Sequence, residues 1–259
     1  MTSSLILIGL VSLIASFLTF FSGFGLGTLL LPVFTLFFPV EIAIGLTGIV
    51  HLLNNIFKTL LIGNKINWKV SSQFGIPSVI GAIIGSLTLI YIVDIFSAFS
   101  YNIYNYELNT SLLKIVMGIL IFSFTMLELI PNKKPFDNNL KNTITGGMLS
   151  GFFGGISGHQ GAIRTLFLVR YNLSKESFIA TGISIALAID LTRLPIYFSN
   201  YKTHKINDYH DLILIAIISA FTGAIIGKIT LNKIRLNILH RIISFCLIIF
   251  SILFSTGII

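Results

Sequence analysis

The chain has 259 residues, of which 54% are hydrophobic and only 10% are charged, and its formal net charge is +8. Soluble globular domains carry about 25% charged residues, so this composition excludes an ordinary soluble domain and predicts an integral membrane protein. The basic residues are spread over short loops and form no continuous tract, which argues against a nucleic-acid-binding protein.

Apolar runs that are long enough to cross a bilayer recur along the chain. A transmembrane helix needs about 20 apolar residues to cross the hydrocarbon core, and residues 41–62, 74–95 and 238–259 meet that requirement. The first apolar run, residues 5–21, is preceded by four residues that lack the basic segment of a secretory signal. We therefore predict an all-α, multi-pass membrane protein in which this first run is a retained helix.

The second half of the chain repeats the first half. Gly81-Ala-Ile-Ile-Gly85 and the three residues after it match Gly223-Ala-Ile-Ile-Gly227 and its next three residues at six of eight positions. A Thr-Gly pair at Thr47 has its counterpart at Thr181, and the matches keep the same order in both halves. We predict a first membrane repeat over residues 1–131, a cytoplasmic linker over 132–140 and a second membrane repeat over 141–259.

Each half has the same predicted order of elements: a helix, a glycine-rich break, a short apolar piece and three long helices. The breaks are residues 21–27 and 151–161, and the short pieces that follow them are residues 28–38 and 162–169. Helices of this length are about 12 to 17 Å long, which is too short for a full crossing of a core about 30 Å thick.

The distribution of basic residues indicates how each broken segment is arranged. If the helix, break and short piece fold back as a hairpin, twelve loop lysines and arginines lie on one side and only Lys114, Lys202 and Lys205 lie on the other. If they form one crossing, the division is eight against seven, so the positive-inside rule favours the hairpin. The two repeats then have inverted topology, as in many secondary transporters. We expect the side with Lys141 to be cytoplasmic and the side with Glu107 to be outside.

The two glycine breaks are the first candidates for a binding site. Lipid cannot satisfy the exposed backbone N–H and C=O groups of a break, so a break at membrane depth lies inside protein or lines a polar cavity. The short helices after the breaks would direct their N-termini at a bound anion. The alternative is that the glycines only allow close helix packing. The residues that we assign to the anion site are Ser22, Gly23, Gly25 and Gly27 in the first break and Ser157, Gly158, His159, Gln160 and Gly161 in the second.

Three ionisable residues of the second half lie inside predicted membrane helices, where charge is costly and commonly functional. Arg164 follows the second break and has no acidic residue near it in the sequence. Asp190 and Arg193 are three residues apart, so they share a helix face and can pair. We predict that Arg164 or Arg193 contacts the anion and that Asp190 is a counter-charge or a proton carrier. The alternative for the pair is a purely structural ion pair.

A polar stripe runs through the first long helix at helical spacing. It consists of Thr47, His51, Asn54 or Asn55, and Lys58. We select Thr47, His51 and Asn54 as substrate contacts, while the alternative is that such side chains hold helices together. The sequence has no P-loop, HExxH motif or other catalytic constellation, so we predict neither an enzyme nor a cofactor or metal site.

These motifs resemble the sulfite exporter TauE/SafE family of membrane transporters. The resemblance covers nearly the whole chain. Leu166 departs from it, because the first half has Pro32 at the corresponding place. The residues that carry the resemblance are Gly23-Phe-Gly-Leu-Gly27 with Pro32, Thr47-Gly48, Ser157-Gly-His-Gln-Gly161 and Thr181-Gly182. The resemblance implies a transporter of sulfite, sulfonates or related sulfur-containing anions.

The residues and the resemblance together predict a secondary transporter of a small sulfur-containing anion in the plasma (inner) membrane. The expected partners are the lipid bilayer, the anionic substrate and a proton or another ion as the coupling species. Two alternatives stay open at this point. One is a transporter of another small solute, such as a carboxylate, and the other is a membrane subunit that transports nothing.

Overall fold

The structure, a computed structural model, describes residues 2–19, 26–95, 99–104, 106–129, 139–200, 209–231 and 237–259. These residues form ten α-helices, two 3₁₀ turns and one two-stranded sheet. The helices are α1 (Thr2–Leu18), α2 (Leu26–Thr35), α3 (Val40–Ile62), α4 (Trp68–Ile95), α5 (Leu112–Leu129), α6 (Leu140–Ser157), α7 (Gly161–Leu168), α8 (Lys175–Asn200), α9 (His210–Thr230) and α10 (Asn237–Ser255). The strands are β1 (Phe99–Ile103) and β2 (Tyr106–Thr110).

Among the described residues, five helical segments are long and apolar enough to cross a membrane. They are Val40–Lys65, Trp68–Val93, Leu112–Leu129, Lys175–Asn200 and His210–Thr230. The helices α1, α2 and α10 contribute shorter apolar segments, Ser4–Leu18, Leu26–Thr35 and Arg241–Ser255. The prediction of a helical, multi-pass membrane protein is therefore confirmed.

The short helices begin and end close to where the sequence placed them. The helix α2 begins two residues before the predicted piece and ends three residues before its end, and α7 is displaced by one residue. The helix α6 begins at Leu140, one residue before the predicted start of the second repeat. Its N-cap is Asn139, whose side chain accepts a hydrogen bond from the backbone N–H of Asn142 at 2.8 Å.

The second broken segment is a hairpin. The hydroxyl oxygens of Thr143, at the start of α6, and Tyr171, just after α7, are 2.5 Å apart. Farther along α6, the Ser150 hydroxyl donates to the carbonyl oxygen of Gln160 at 3.2 Å. Rising residue numbers in α6 thus face falling numbers in the following segment, so α7 runs back along α6.

Contacts of α1 with α3 indicate the same arrangement in the first half. The Ser16 and Asn54 side chains are hydrogen bonded at 3.0 Å, and Lys58 donates to the hydroxyl of Thr19. Numbers rise together in these contacts, so α1 and α3 are parallel. The chain between them must therefore return across the molecule, and α2 is the helix of that return.

Contacts between the halves follow the order of the repeat. The helices α3 and α8, which occupy the same place in the two halves, run antiparallel, because Gly48 lies against Leu194 and His51 lies against Asp190. The helix α4 packs on α6, and its counterpart α9 packs on α1.

The repeated Gly-Ala-Ile-Ile-Gly motif lies at these two equivalent contacts. A Cβ atom on Gly81 would lie only 2.1 Å from the carbonyl oxygen of Met148, and one on Gly223 only 2.2 Å from that of Leu13. The motif therefore allows each half to place a helix in close contact with the first helix of the other half.

Two lysines from different halves of the chain lie at one cavity. Lys65 forms an exposed ion pair with Glu176 at 3.9 Å, and a cavity lined by both of them also contains Lys228. At the start of α5, Lys114 donates to the carbonyl oxygen of Ile259 at 3.1 Å. Lys65 and Lys228, which the hairpin interpretation assigns to the same side, thus line the same cavity.

The antiparallel strands β1 and β2 were not predicted. They pair from Phe99 with Thr110 to Ile103 with Tyr106. Aromatic and aliphatic residues alternate with polar ones here, which is a strand pattern. The Tyr101 hydroxyl donates to the carbonyl oxygen of Thr256 at 2.6 Å, so this hairpin packs on the end of the second half.

Candidate functional site

The polar stripe of α3 divides between two neighbouring helices. Asn54 and Lys58 face α1, where Asn54 is hydrogen bonded to the Ser16 hydroxyl at 3.0 Å and Lys58 Nζ donates to the Ser16 carbonyl at 3.2 Å. His51 and Asn55 contact α8 instead, through Asp190. These four residues, His51, Asn54, Asn55 and Lys58, are all buried, so each of them is held by protein and not by lipid.

Both carboxylate oxygens of Asp190 are bonded: Oδ2 joins α8 to α3, and Oδ1 bonds within α8. His51 Nδ1 lies 2.6 Å from Oδ2, and Arg193 Nε donates to Oδ1 at 3.0 Å. Asn55 Nδ2 also donates to Oδ2, at 3.4 Å. A fully buried carboxylate is stable only when it is paired and hydrogen bonded, so these contacts explain how Asp190 is kept inside a membrane helix.

The guanidinium of Arg193 lies between two glycines. A Cβ atom on Gly158 would lie 2.9 Å from Nη1, and one on Gly48 would lie 3.3 Å from Nη2. Gly158 also has a φ angle of +79°, in the left-handed region that favours glycine. Although Arg193 is 1% exposed, neither Nη1 nor Nη2 has a hydrogen-bond partner among the described residues. These nitrogens are therefore donors that a ligand could satisfy.

The two glycine breaks meet beside this cation. A Cβ atom on Gly27 would lie 3.5 Å from the carbonyl oxygen of Gly158 and 3.6 Å from Cγ2 of Thr47. Gly27 is at the start of α2, and Gly158 connects α6 to α7. Thus the beginnings of both short helices lie near one another, as the sequence predicted from the paired breaks.

Several other buried polar atoms of this region have no hydrogen-bond partner within the part of the chain that the structure describes. They are Thr47 Oγ1, both ring nitrogens of His159, both side-chain polar atoms of Gln160 and Nη1 of Arg164. Buried polar groups in proteins are normally paired, so such a cluster marks a place for water or a ligand. The ring of His159 stacks on Phe124, with the ring centroids 6.1 Å apart.

A cavity of about 50 Å³ lies between α3, α7 and α8. Its polar lining is formed by Thr19, His51, Asn55, Lys58, Arg164 and Thr165. One water molecule needs roughly 10 to 15 Å³ by this measure, so the cavity has room for several waters or one small anion. Three of its six polar lining residues, His51, Lys58 and Arg164, are basic, which favours a negatively charged occupant.

The charges around Asp190 are unequal. Among the described residues of the site, the one carboxylate, Asp190, accompanies two arginines: Arg193, which it contacts, and Arg164, which lines the cavity. Arg164 lies against Gly182, where a Cβ atom would be 3.3 Å from Nε. An uncompensated cation is expensive inside a membrane protein, so the excess of positive charge indicates a site that an anion neutralises.

The structure brings together most of the residues that the sequence selected. Gly27, Thr47, Gly158 and Arg193 surround the meeting point of the breaks, with His159, Gln160 and Gly161 in the same break. His51 and Asp190 connect this point to the cavity at Arg164. Ser22, Gly23 and Gly25 lie outside the described residues.

Two selected residues face elsewhere. The Asn54 side chain is bound to Ser16 of α1 and does not line the cavity, whereas Asn55 does. The Ser157 hydroxyl donates to the carbonyl oxygen of Phe153 in its own helix at 3.0 Å. Its oxygen also accepts the backbone N–H of His159 at 3.4 Å, so Ser157 shapes the break from within.

Sequence reasoning missed Gly48 and Thr19 as site residues. Gly48 follows Thr47 directly, so it could have been selected together with Thr47 as a small residue beside a predicted substrate contact. Thr19 lies two residues before the first break in the sequence, but it is joined to the site by a tertiary contact with Lys58. No local pattern marks that contact.

Comparison with known proteins identifies the family of the chain. The family model described as sulfite exporter TauE/SafE matches residues 8–254 of the chain. No curated protein and no solved structure matches it. Because the family match covers all but the ends of the chain, the chain belongs to the sulfite exporter TauE/SafE family of membrane transporters.

Proposed function

We propose that the chain is a secondary transporter of a small sulfur-containing oxyanion, such as sulfite or a simple sulfonate, in the plasma (inner) membrane. The observation that carries this proposal is the guanidinium of Arg193. Its two terminal nitrogens are buried at the meeting point of the glycine breaks and have no hydrogen-bond partner among the described residues. A tetrahedral or pyramidal oxyanion offers acceptors that match this planar pair of donors.

The backbone supplies the second element of the proposed site. The helices α2 and α7 begin at the breaks, and the first N–H groups of a helix have no partner within that helix. Their partial positive charge favours an anion at this point. The anion would therefore be held by Arg193 and by backbone N–H groups, with Gly27 and Gly158 leaving room for its approach.

The cavity at Arg164 would be the cytoplasmic entrance to this site. The cavity reaches Lys58, near the end of α3. The 3₁₀ segment Gly63–Lys65 follows directly after α3, and we assign Lys65 to the cytoplasmic side. Arg164 and Lys58 would attract the anion into the cavity, and Arg193 would receive it deeper in the membrane.

Alternating access through inverted repeats is the proposed transport mechanism. The antiparallel course of α3 and α8 and the equivalent pairs α4 with α6 and α9 with α1 support two repeats of opposite orientation. In such an architecture the site lies where broken helices of both halves meet, and rocking of the halves exposes it to each side in turn.

Uptake into liposomes tests the proposal. Purified protein is reconstituted, and the uptake of sulfite, sulfate, thiosulfate, methanesulfonate, acetate and an uncharged solute is compared with that of protein-free liposomes under imposed ion gradients. The proposal predicts protein-dependent uptake of at least one sulfur anion and competition among the sulfur anions. Preference for acetate or for the uncharged solute, or no uptake of any of them, would refute it.

A further inference from the structure

The ring of His51 occupies the connection between the two parts of the proposed transport path. On one side, its Nδ1 contacts the Asp190 carboxylate, which also holds Arg193. On the other side, His51 lines the cavity that contains Arg164 and Lys58. His51 is thus the residue through which a change in the cavity can reach the cation at the glycine breaks.

We propose that His51 carries the coupling proton, so that one proton crosses the membrane together with the anion. This inference rests on the proposed function and names the ion that drives it. The 2.6 Å contact with ionised Asp190 fixes a proton on Nδ1 of His51, which leaves Nε2 to gain and lose a second one. That proton comes from water on one side of the membrane and returns to water on the other side.

The charges around His51 link its proton to the anion. From α8 it faces Asp190 and Arg193, from α7 Arg164, and from its own helix Lys58. The described parts of α1 and α2 contain no ionisable side chain.

The helix α9 also contacts α3, but its ionisable residues, His210, Asp211 and Lys228, lie only in its first and last turns. Without an anion, an added proton on His51 would increase an existing excess of positive charge. A bound anion offsets this repulsion, so each of the two binds better when the other is present.

Asn55 completes the arrangement. Its amide nitrogen donates to Asp190 Oδ2 at 3.4 Å and lies 3.1 Å from Nδ1 and 3.5 Å from Nε2 of His51. It therefore fixes the ring and the carboxylate relative to each other, one helical turn after His51. An amide N–H donates to Nε2 only while that nitrogen is unprotonated, so when Nε2 gains its proton the Asn55 amide is left to Asp190, and Nδ1 keeps its bond to the carboxylate.

Proton movement during anion flux tests the inference. The probe is thiosulfate or methanesulfonate, since neither takes up a proton itself at neutral pH, and a pH-sensitive dye inside the liposomes reports proton entry. Wild-type protein is expected to bring in about one proton for each anion, and the effect should disappear in His51→Gln. The matched control is His210→Gln, which removes an exposed histidine at the start of α9 and should leave proton entry unchanged.

Exchange of labelled anion across the membrane without a gradient is measured on the same samples. For His51→Gln we expect exchange that no longer changes with pH, because the group whose proton accompanies the anion is absent. Wild-type anion flux without proton entry would overturn the inference while leaving the proposed function intact. Proton entry that persists in His51→Gln would overturn it as well. No wild-type flux of any anion would refute the proposed function itself.

Equilibrium binding in detergent decides the case in which His51→Gln does not exchange anion. Wild-type affinity for the anion should become tighter by up to roughly tenfold for each pH unit as the histidine gains its proton. The affinity of His51→Gln should be independent of pH. A variant that keeps the wild-type pH dependence, or that binds no anion at any pH, would overturn the inference, since in the latter case His51 is an anion ligand.

Discussion

Gly158 illustrates how much of the site depends on single residues. Its φ angle of +79° is one that an L-residue adopts at a cost of roughly 1 to 2 kcal/mol. In addition, any Cβ atom would meet Arg193 Nη1 at 2.9 Å. A side chain at this position would therefore strain the break and displace the cation that we assign to the anion.

Gly158→Ala should reduce both transport and thermal stability. We expect a loss of transport of about tenfold or more, because a misplaced hydrogen bond to a charged group is worth about 1.5 to 3 kcal/mol. Initial uptake rates and melting in detergent measure the two effects. The control is Gly45→Ala on α3, where a Cβ atom meets nothing within 4 Å. Equal behaviour of the two variants would show that Gly158 has no special role.

Arg164→Gln should weaken anion binding with little effect on folding. Nη1 of Arg164 has no hydrogen-bond partner among the described residues, so its removal leaves no broken internal bond at that atom. The anion concentration for half-maximal uptake should rise roughly tenfold or more, since a charged hydrogen bond is lost. Lys69→Gln removes an exposed positive charge at the start of α4 and should change neither uptake nor melting. An unaltered half-saturating concentration in Arg164→Gln would exclude Arg164 from the path.

The choice between Asn54 and Asn55 shows the limit of sequence reasoning at this scale. Both residues lie on the polar stripe, and adjacent helical positions point about 100° apart. Which one faces α8 depends on how α3 is rotated against α1. That rotation is fixed by the contact between Asn54 and Ser16, which no local pattern reveals. By contrast, Asp190 and Arg193 could be selected in advance, because charged residues stand out in a membrane helix.

At the scale of elements, close contact between α4 and α6 stabilises the junction of the two halves. A Cβ atom on Gly151 would lie 1.9 Å from the carbonyl oxygen of Ser78, and one on Gly155 2.4 Å from that of Ala82. Without glycine, the two backbones could not approach so closely, and their dispersion contacts would be lost.

Gly151→Ala should therefore destabilise the protein by 1 kcal/mol or more, the order of magnitude found for overpacked sites (~1 to 3 kcal/mol). The expected result is a lower melting temperature in detergent and less monodisperse protein. Gly75→Ala, on the neighbouring face of α4, is the matched control, because its nearest contact would be Ile185 at 3.9 Å. If both variants melt like wild type, α4 and α6 can separate without cost, and Gly151 is not needed for their close contact.

Long helices were predictable because an apolar run of sufficient length has few alternatives in a bilayer. The short helices α2 and α7 were also placed within three residues, since glycine-rich breaks delimit them. The strands β1 and β2 were missed, because the alternation from Phe99 to Thr110 forms only one short hairpin and is a much weaker signal than the long apolar runs on either side.

At the scale of the whole molecule, the count of basic residues predicts orientation. The positive-inside rule places Lys141 in the cytoplasm and Glu107 outside. Each is replaced by cysteine in a Cys246→Ser background, because Cys246 is exposed on α10. A membrane-impermeant thiol reagent should label Glu107→Cys in intact cells, and Lys141→Cys only after permeabilisation. Labelling of both positions from the same side would contradict the inverted arrangement.

The pairing of the two halves was predictable only in part. The repeated motif and the matched breaks indicated two equivalent units, and the basic residues favoured their inverted orientation. The point at which the units meet was not readable, because it depends on long-range contacts such as that of Gly48 with Arg193. Such contacts join residues that are more than 100 positions apart and leave no periodic signal in one sequence.

If the anion passes where Gly27 meets Gly158, two variants of Gly27 should differ in their initial rate of labelled sulfite uptake. Alanine fits, since a Cβ atom would be 3.5 Å from the nearest backbone oxygen, at ordinary contact distance. Valine adds two methyl groups that would fill the approach to Arg193. We predict near wild-type uptake for Gly27→Ala and a loss of at least about tenfold for Gly27→Val, with both inserted normally in the membrane. Wild-type uptake by Gly27→Val would contradict the account.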